Sequence, residues 1–180
     1  MKFLKPGLVL FIVGVLAAAA LGFTNEITKD TIAAQRENSR NAAMKEIIPE
    51  AGSFEQTDDE KFFLAKDASG QTIGAIVFTY PNGFGGPVEV ITGLGMDGTI
   101  KGVRVGSHTE TPDLGSKATQ PEFYEQFTGL SMSEPIQVIK IGEPNGNQIH
   151  AISGATVTSS GVTDGVMQAI EIFHSKGGIK

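Results

Sequence analysis

A chain of 180 residues, 40% hydrophobic and 19% charged, is long enough for one domain of ordinary size and too apolar to stay disordered. Its formal net charge of -6 excludes a nucleic-acid role, because neutralising phosphates takes clustered Lys and Arg, and no basic stripe occurs. Without cysteine it offers no disulfide, thiolate nucleophile or cysteine-held iron-sulfur cluster, and His108, His150 and His174 lack zinc or copper spacing, so redox chemistry would need an organic cofactor.

The first element is an apolar run from Gly7 to Phe23, preceded by Lys2 and Lys5. As a helix it rises about 25 Å. Phe3 and Leu4, with Lys5 snorkelling outward, extend it towards the roughly 30 Å hydrocarbon core. The small residues Ala18, Ala19 and Ala20 also fit a cleaved signal peptide, but helix continuation favours a retained anchor. From Asn25 to Ile48 there is no Gly or Pro, and Ile27, Thr31 and Ala34 share one face, the pattern of a stalk leaving the membrane. Lysines before the span predict a cytoplasmic N-terminus and an extracytoplasmic C-terminal part. The expected divisions are residues 1–24 as transmembrane anchor, 25–52 as stalk helix and linker, and 53–180 as the extracytoplasmic domain.

Pro49, Gly52 and the acidic residues Asp58, Asp59 and Glu60 predict the end of the stalk and a loop. Strands are expected over 62–65, 72–80, 88–94, 100–107 and 136–139, from β-branched and aromatic runs parted by the turns DASGQ, PNGFGG and MDGT. Short connections imply mainly antiparallel pairing. Gly93 to Gly98 match GxGxxG, yet a strand pattern rather than a helix comes after them, so these glycines are read as a hairpin turn. A short helix is expected from Pro121 to Phe127 and a longer one from Ser159 to Ser175, with Val162, Val166, Ala169, Ile170 and Phe173 on one face. The fold class is α+β: a single transmembrane helix with its stalk, then an antiparallel-sheet domain with a C-terminal helix.

The segment Ala151 to Val166, AISGATVTSSGVTDGV, carries the chemistry. A glycine-containing, hydroxyl-rich loop running into an amphipathic helix is suited to phosphate, because free N–H groups and the helix dipole favour an anion there. Ser153, Thr156, Thr158 and Ser159 supply hydroxyls. On these residues alone an ordinary helix start, capped by Ser159 or Ser160, is equally open.

Ser153, Gly154, Ala155 and Thr156, continued as VTSSGV, resemble the flavinylation motif of the FMN-binding domain family. That family includes the G subunit of Rnf ferredoxin:NAD+ oxidoreductase complexes and the C subunit of the Na+-translocating NADH:quinone oxidoreductase. The resemblance implies that a dedicated flavin transferase joins the FMN phosphate to Thr156 as a phosphoester, with Thr158 in support. TETPDLGSKA, from Thr109 to Ala118, is similar to the family's ETPGLG segment, which implies that Glu110, Thr111, Leu114 and Gly115 lie at the flavin. Lys140, at the end of VIK, matches a family lysine facing the cofactor. Two positions depart from the pattern: His150 stands where Asp precedes the motif, and Asp113 where Gly is usual and positive φ is tolerated. The short N-terminus and KPGLVLF start favour the Rnf protein over its quinone-reductase counterpart. The resemblance thus implies an electron-transfer subunit with no turnover alone, no metal, and no catalytic side chain of its own. Its partners would be the lipid bilayer, other integral membrane subunits carrying flavin or iron-sulfur centres, and the transferase. A non-redox extracytoplasmic binding module is the alternative from a different class.

Overall fold

The structure, a computed structural model, describes residues 4–177. Two compact units divide at Arg40 and Asn41, and each is described by itself. Helix α1, Leu4–Ile47, begins in the first unit and ends in the second. In the first unit Leu10, Leu21 and Phe23 are at least 70% exposed, and nothing within the described chain covers this apolar stretch, which is long enough to cross a membrane. Beyond it Thr28 Oγ1 donates to Thr24 O at 2.9 Å and Lys29 pairs with Glu26, so polar side chains decorate a helix that continues without a break. The expected run through Asn25 to Ile48 is thus helical to within one residue.

The second unit opens on the last turns of α1, which stop before Pro49 because its ring prevents helix continuation. Five strands follow as an antiparallel meander: β1 Ser53–Gln56, β2 Phe62–Lys66, β3 Thr72–Thr79, β4 Val90–Gly95 and β5 Ile100–Val105. Val77 stands opposite Phe62 on one side and Thr92 on the other, which sets the register of the centre. Because successive side chains alternate, Ala75 and Val77 face one layer while Ile76 and Phe78 face the other. Both layers are covered. On one side lie Val162, Val166, Ala169 and Phe173 of α3, Thr156–Ser175. On the other lie Met44, Ile47 and Ile48, and Gly93 makes room for them, since a Cβ there would stand 2.1 Å from the Ile47 side chain. Burial on both faces explains why β3 and β4 read as nearly continuous apolar runs.

Several expectations change in detail. β1 falls where a loop was expected, because SFEQ is a mostly exposed edge strand held by pairing with β2 and has no hydrophobic period. A second small sheet joins β6, Gln137–Ile139, to β7, Gln148–His150, in parallel, beside the mainly antiparallel pairing expected and found in the meander. The Pro121 helix divides into α2, Pro121–Tyr124, and a 3-10 turn over Glu125–Phe127. Gly93 to Gly98 form the β4–β5 hairpin, as read from the strand that comes after them. Helix α3 starts three residues before Ser159. Ser159 is therefore inside the first turn and does not cap it: its Oγ accepts from Ile152 N–H and donates to Ala155 O, both at 2.9 Å.

Candidate functional site

Three segments, far apart in sequence, meet at one end of the sheet. The first is the loop between β3 and β4, PNGFGGP, closed by Gly83 N–H donating to Gly86 O at 2.8 Å. Two glycines of α3 let this loop lie against the helix: a Cβ on Gly161 would meet Asn82 O at 2.5 Å, and one on Gly165 would meet the Pro81 ring at 2.7 Å. The second segment, Thr109 to Gly115, leaves β5 and is held by Thr109 Oγ1 donating to Gly85 O at 2.9 Å. Its turn puts Asp113 at φ 60, the positive φ that the resemblance to ETPGLG led one to expect there, and Asp113 N–H donates to Ser116 Oγ at 3.0 Å.

The third segment is the start of α3. Gly154, at φ 78, turns the chain into the helix, and Ala155 occupies the N-cap with no capping side chain. Ser159 N–H makes the first helical bond, to Ala155 O at 3.0 Å, so the N–H groups of Thr156, Val157 and Thr158 have no acceptor within the helix. Such a start carries partial positive charge and unspent donors.

Between the segments lies a cleft of about 360 Å³. Thr156, Thr158, Gly154 and Ala155 line one wall, and Glu110, Thr111, Leu114 and Gly115 another. Eight residues singled out from the sequence thus converge. Phe84 and Val157 complete the lining and were not singled out. They are 74% and 56% exposed, and the available signal was an aromatic flanked by glycines and a β-branched apolar residue beside Thr156. Ser153 stands in the exposed turn just ahead of the cleft and does not line it. Lys140 is also outside the lining, exposed immediately after β6. The parallel pair nevertheless brings its backbone beside the motif, because Ala151 N–H donates to Ile139 O at 2.8 Å.

Glu110 is not a solvated loop carboxylate. It is 7% exposed, its Oε1 accepts from Gly85 N–H at 2.8 Å, and its Oε2 accepts from the buried Thr158 hydroxyl at 2.5 Å. The cleft therefore combines a polar, hydrogen-bonded floor, an anion-suited helix start and an apolar rim of Phe84, Leu114 and Val157. A planar ring bearing a phosphate fits that donor set. Among the described residues no group of three or more His, Cys, Asp or Glu is arranged to hold a metal ion.

The profile of the FMN-binding domain matches residues 83–171, which include the second and third segments and the first from Gly83 onward, and that of the RnfG N-terminal region matches residues 2–47. The G subunit of the Na(+)-translocating ferredoxin:NAD(+) oxidoreductase complex of Acetobacterium woodii is 36% identical, the match covering 95% of this chain and 91% of that protein. The G subunit of the ion-translocating oxidoreductase complex of Methanosarcina acetivorans is 32% identical over 93% and 92% of the two chains. Among solved structures, NqrC of Shewanella oneidensis shares the fold, with a TM-score of 0.57 and 23% identity over 71% of this chain and 70% of that one. The C subunit of the Na(+)-translocating NADH-quinone reductase from Parabacteroides distasonis has a TM-score of 0.53 and 28% identity, over 63% and 60%.

Proposed function

The chain belongs to the FMN-binding domain family, within the branch formed by the G subunits of ion-translocating oxidoreductase complexes, and from that premise we propose that it is an electron-transfer subunit carrying FMN covalently on Thr156. The observation that carries the reading is a helix start with unspent N–H donors opening on a cleft that Thr156 lines. In the maturation step Thr156 Oγ forms a bond to the phosphorus of the flavin donor, loses its proton, and displaces the donor's leaving group, with a flavin transferase as catalyst. The product is a phosphoester.

Once attached, FMN supplies acceptance and donation of electrons. The chain's own residues bind and orient. N–H groups of Thr156, Val157 and Thr158 answer the phosphate oxygens, while Phe84, Leu114 and Val157 offer apolar surface to the ring. Ser153, Gly154 and Ala155 shape the turn that presents Thr156, and Thr111 and Gly115 border the ring side. Lys140, outside the cleft lining, would bring a positive charge to the strand end next to the motif.

The protein works with other integral membrane subunits that carry flavin or iron-sulfur centres, anchored in the bilayer by α1 with its N-terminus cytoplasmic and its domain extracytoplasmic. The intact mass of full-length protein extracted from membranes tests attachment and anchor together. The expected mass is the complete chain plus one esterified FMN, with yellow fluorescence persisting in denaturing gels. A mass equal to the unmodified chain, from cells that express a transferase, refutes the covalent flavin, and a mass lacking the first residues refutes the anchor.

A further inference from the structure

We propose that Glu110 is a positioning residue, a latch joining the three walls of the cleft and holding Phe84 where the flavin ring docks. The proposal rests on the reading of the cleft as the FMN site. Its basis is the geometry around a single buried carboxylate. One oxygen takes the N–H of Gly85 in the β3–β4 loop, and the other takes the hydroxyl of Thr158 in the first turn of α3. Two glycines give the carboxylate its room: a Cβ on Gly83 would stand 2.3 Å from Oε1, and one on Gly115 would stand 2.3 Å from Oε2. Phe84 lies between Gly83 and Gly85, so its backbone position depends on what Glu110 holds. The ring is 74% exposed on the rim, a large aromatic surface that a planar ligand would cover. With one protein donor held on each oxygen, Glu110 acts on the flavin by fixing Phe84 and the first turn of α3.

Two conservative substitutions separate reach from charge. Glu110→Gln keeps the reach and loses the charge: its carbonyl still accepts from Gly85, and its amide donates to Thr158, whose hydroxyl turns from donor to acceptor. Glu110→Asp keeps the charge and is one methylene too short to hold both partners. A latch makes Gln behave like wild type and Asp behave as defective, whereas a role through charge makes the reverse pattern.

The experiment uses the full chain, purified with and without an expressed flavin transferase. Hydrogen exchange at the Gly85 amide is measured without flavin, and anisotropy and iodide quenching of the attached flavin are measured with it. Glu110→Asp should speed Gly85 exchange by about tenfold, the loss of roughly one hydrogen bond. It should also lower flavin anisotropy and raise iodide quenching towards that of free FMN. Glu110→Gln should stay within about twofold of wild type in all three readouts, well inside the free energy of one hydrogen bond. Unchanged Gly85 exchange in Asp, or Gln as open as Asp, overturns the latch. If wild type carries no covalent flavin, the proposed function fails while Gly85 exchange still decides the latch.

Discussion

Two threonines two positions apart at the start of α3 should respond oppositely to the same substitution. Thr156 is partly exposed and its hydroxyl bonds to no other described group, so Thr156→Val should alter stability by no more than about 0.5 kcal/mol. It removes the oxygen that would carry the phosphoester. Thr158 is buried, and its hydroxyl is a hydrogen-bond donor to Glu110 Oε2, so Thr158→Val sets a methyl against a buried carboxylate oxygen and strips one of its partners. Loss of a hydrogen bond to a charged group costs about 1.5–3 kcal/mol. For a unit of this size that lowers Tm by roughly 5–10 °C. The assay takes a fragment beginning at Asn25. Melting is measured without flavin, so that ligand stabilisation does not enter, and gel fluorescence is read after co-expression with a transferase. Thr156→Val should melt like wild type and give no fluorescent band; Thr158→Val should melt early and keep one. A band lost from Thr158→Val and kept in Thr156→Val would move the acceptor two residues along, and bands in both would refute esterification at this motif. Equal melting losses in the two variants would refute the division between chemistry and structure.

The end of α1 should be indispensable to the domain. Burying Met44, Ile47 and Ile48 is worth about 1.5–3 kcal/mol each, comparable in total with a typical domain's whole stability of about 5–15 kcal/mol. A fragment starting at Asn25 should be soluble and show a cooperative melt, whereas one starting at Ser53 should aggregate or lack one; a cooperative melt in the shorter fragment would contradict the packing argument. Asp97, in the β4–β5 turn, accepts from the Lys101 ammonium at 2.6 Å and the Thr99 hydroxyl at 2.7 Å, which lower its pKa from 3.8 to about 2. Because the folded value is the lower one, this stabilisation is present above pH 3.8 and lost as pH falls through about 2. Asp97→Asn should therefore melt below wild type at neutral pH and converge with it near pH 2; a gap unchanged by acid would refute the ionic origin. Protease added to intact wall-free cells should digest the domain, and digestion only after lysis would reverse the proposed orientation.

The sequence by itself determined whatever depends on local patterning. An uncharged apolar run makes α1 recognisable, β-branched runs between turn residues locate most of the meander, and the recurrence of Val162, Val166, Ala169 and Phe173 marks the buried face of α3. The hydroxyl-rich loop drew attention by its composition, and family resemblance singled out Thr156 within it. Tertiary structure alone decided the rest. β1 and β7 are four and three residues long, too short for a period, and form because a partner strand offers hydrogen bonds. The first turn of α3 was hidden because its buried side chains, Thr158 and Ser159, carry hydroxyls, while the apolar Val157 is exposed. Glu110 meets Gly85 across 25 positions and Thr158 across 48. No local pattern encodes such separations. They arise because the meander returns its β3–β4 loop and the end of β5 to one end of the sheet, whose two faces are covered by α3 and by the last turn of α1.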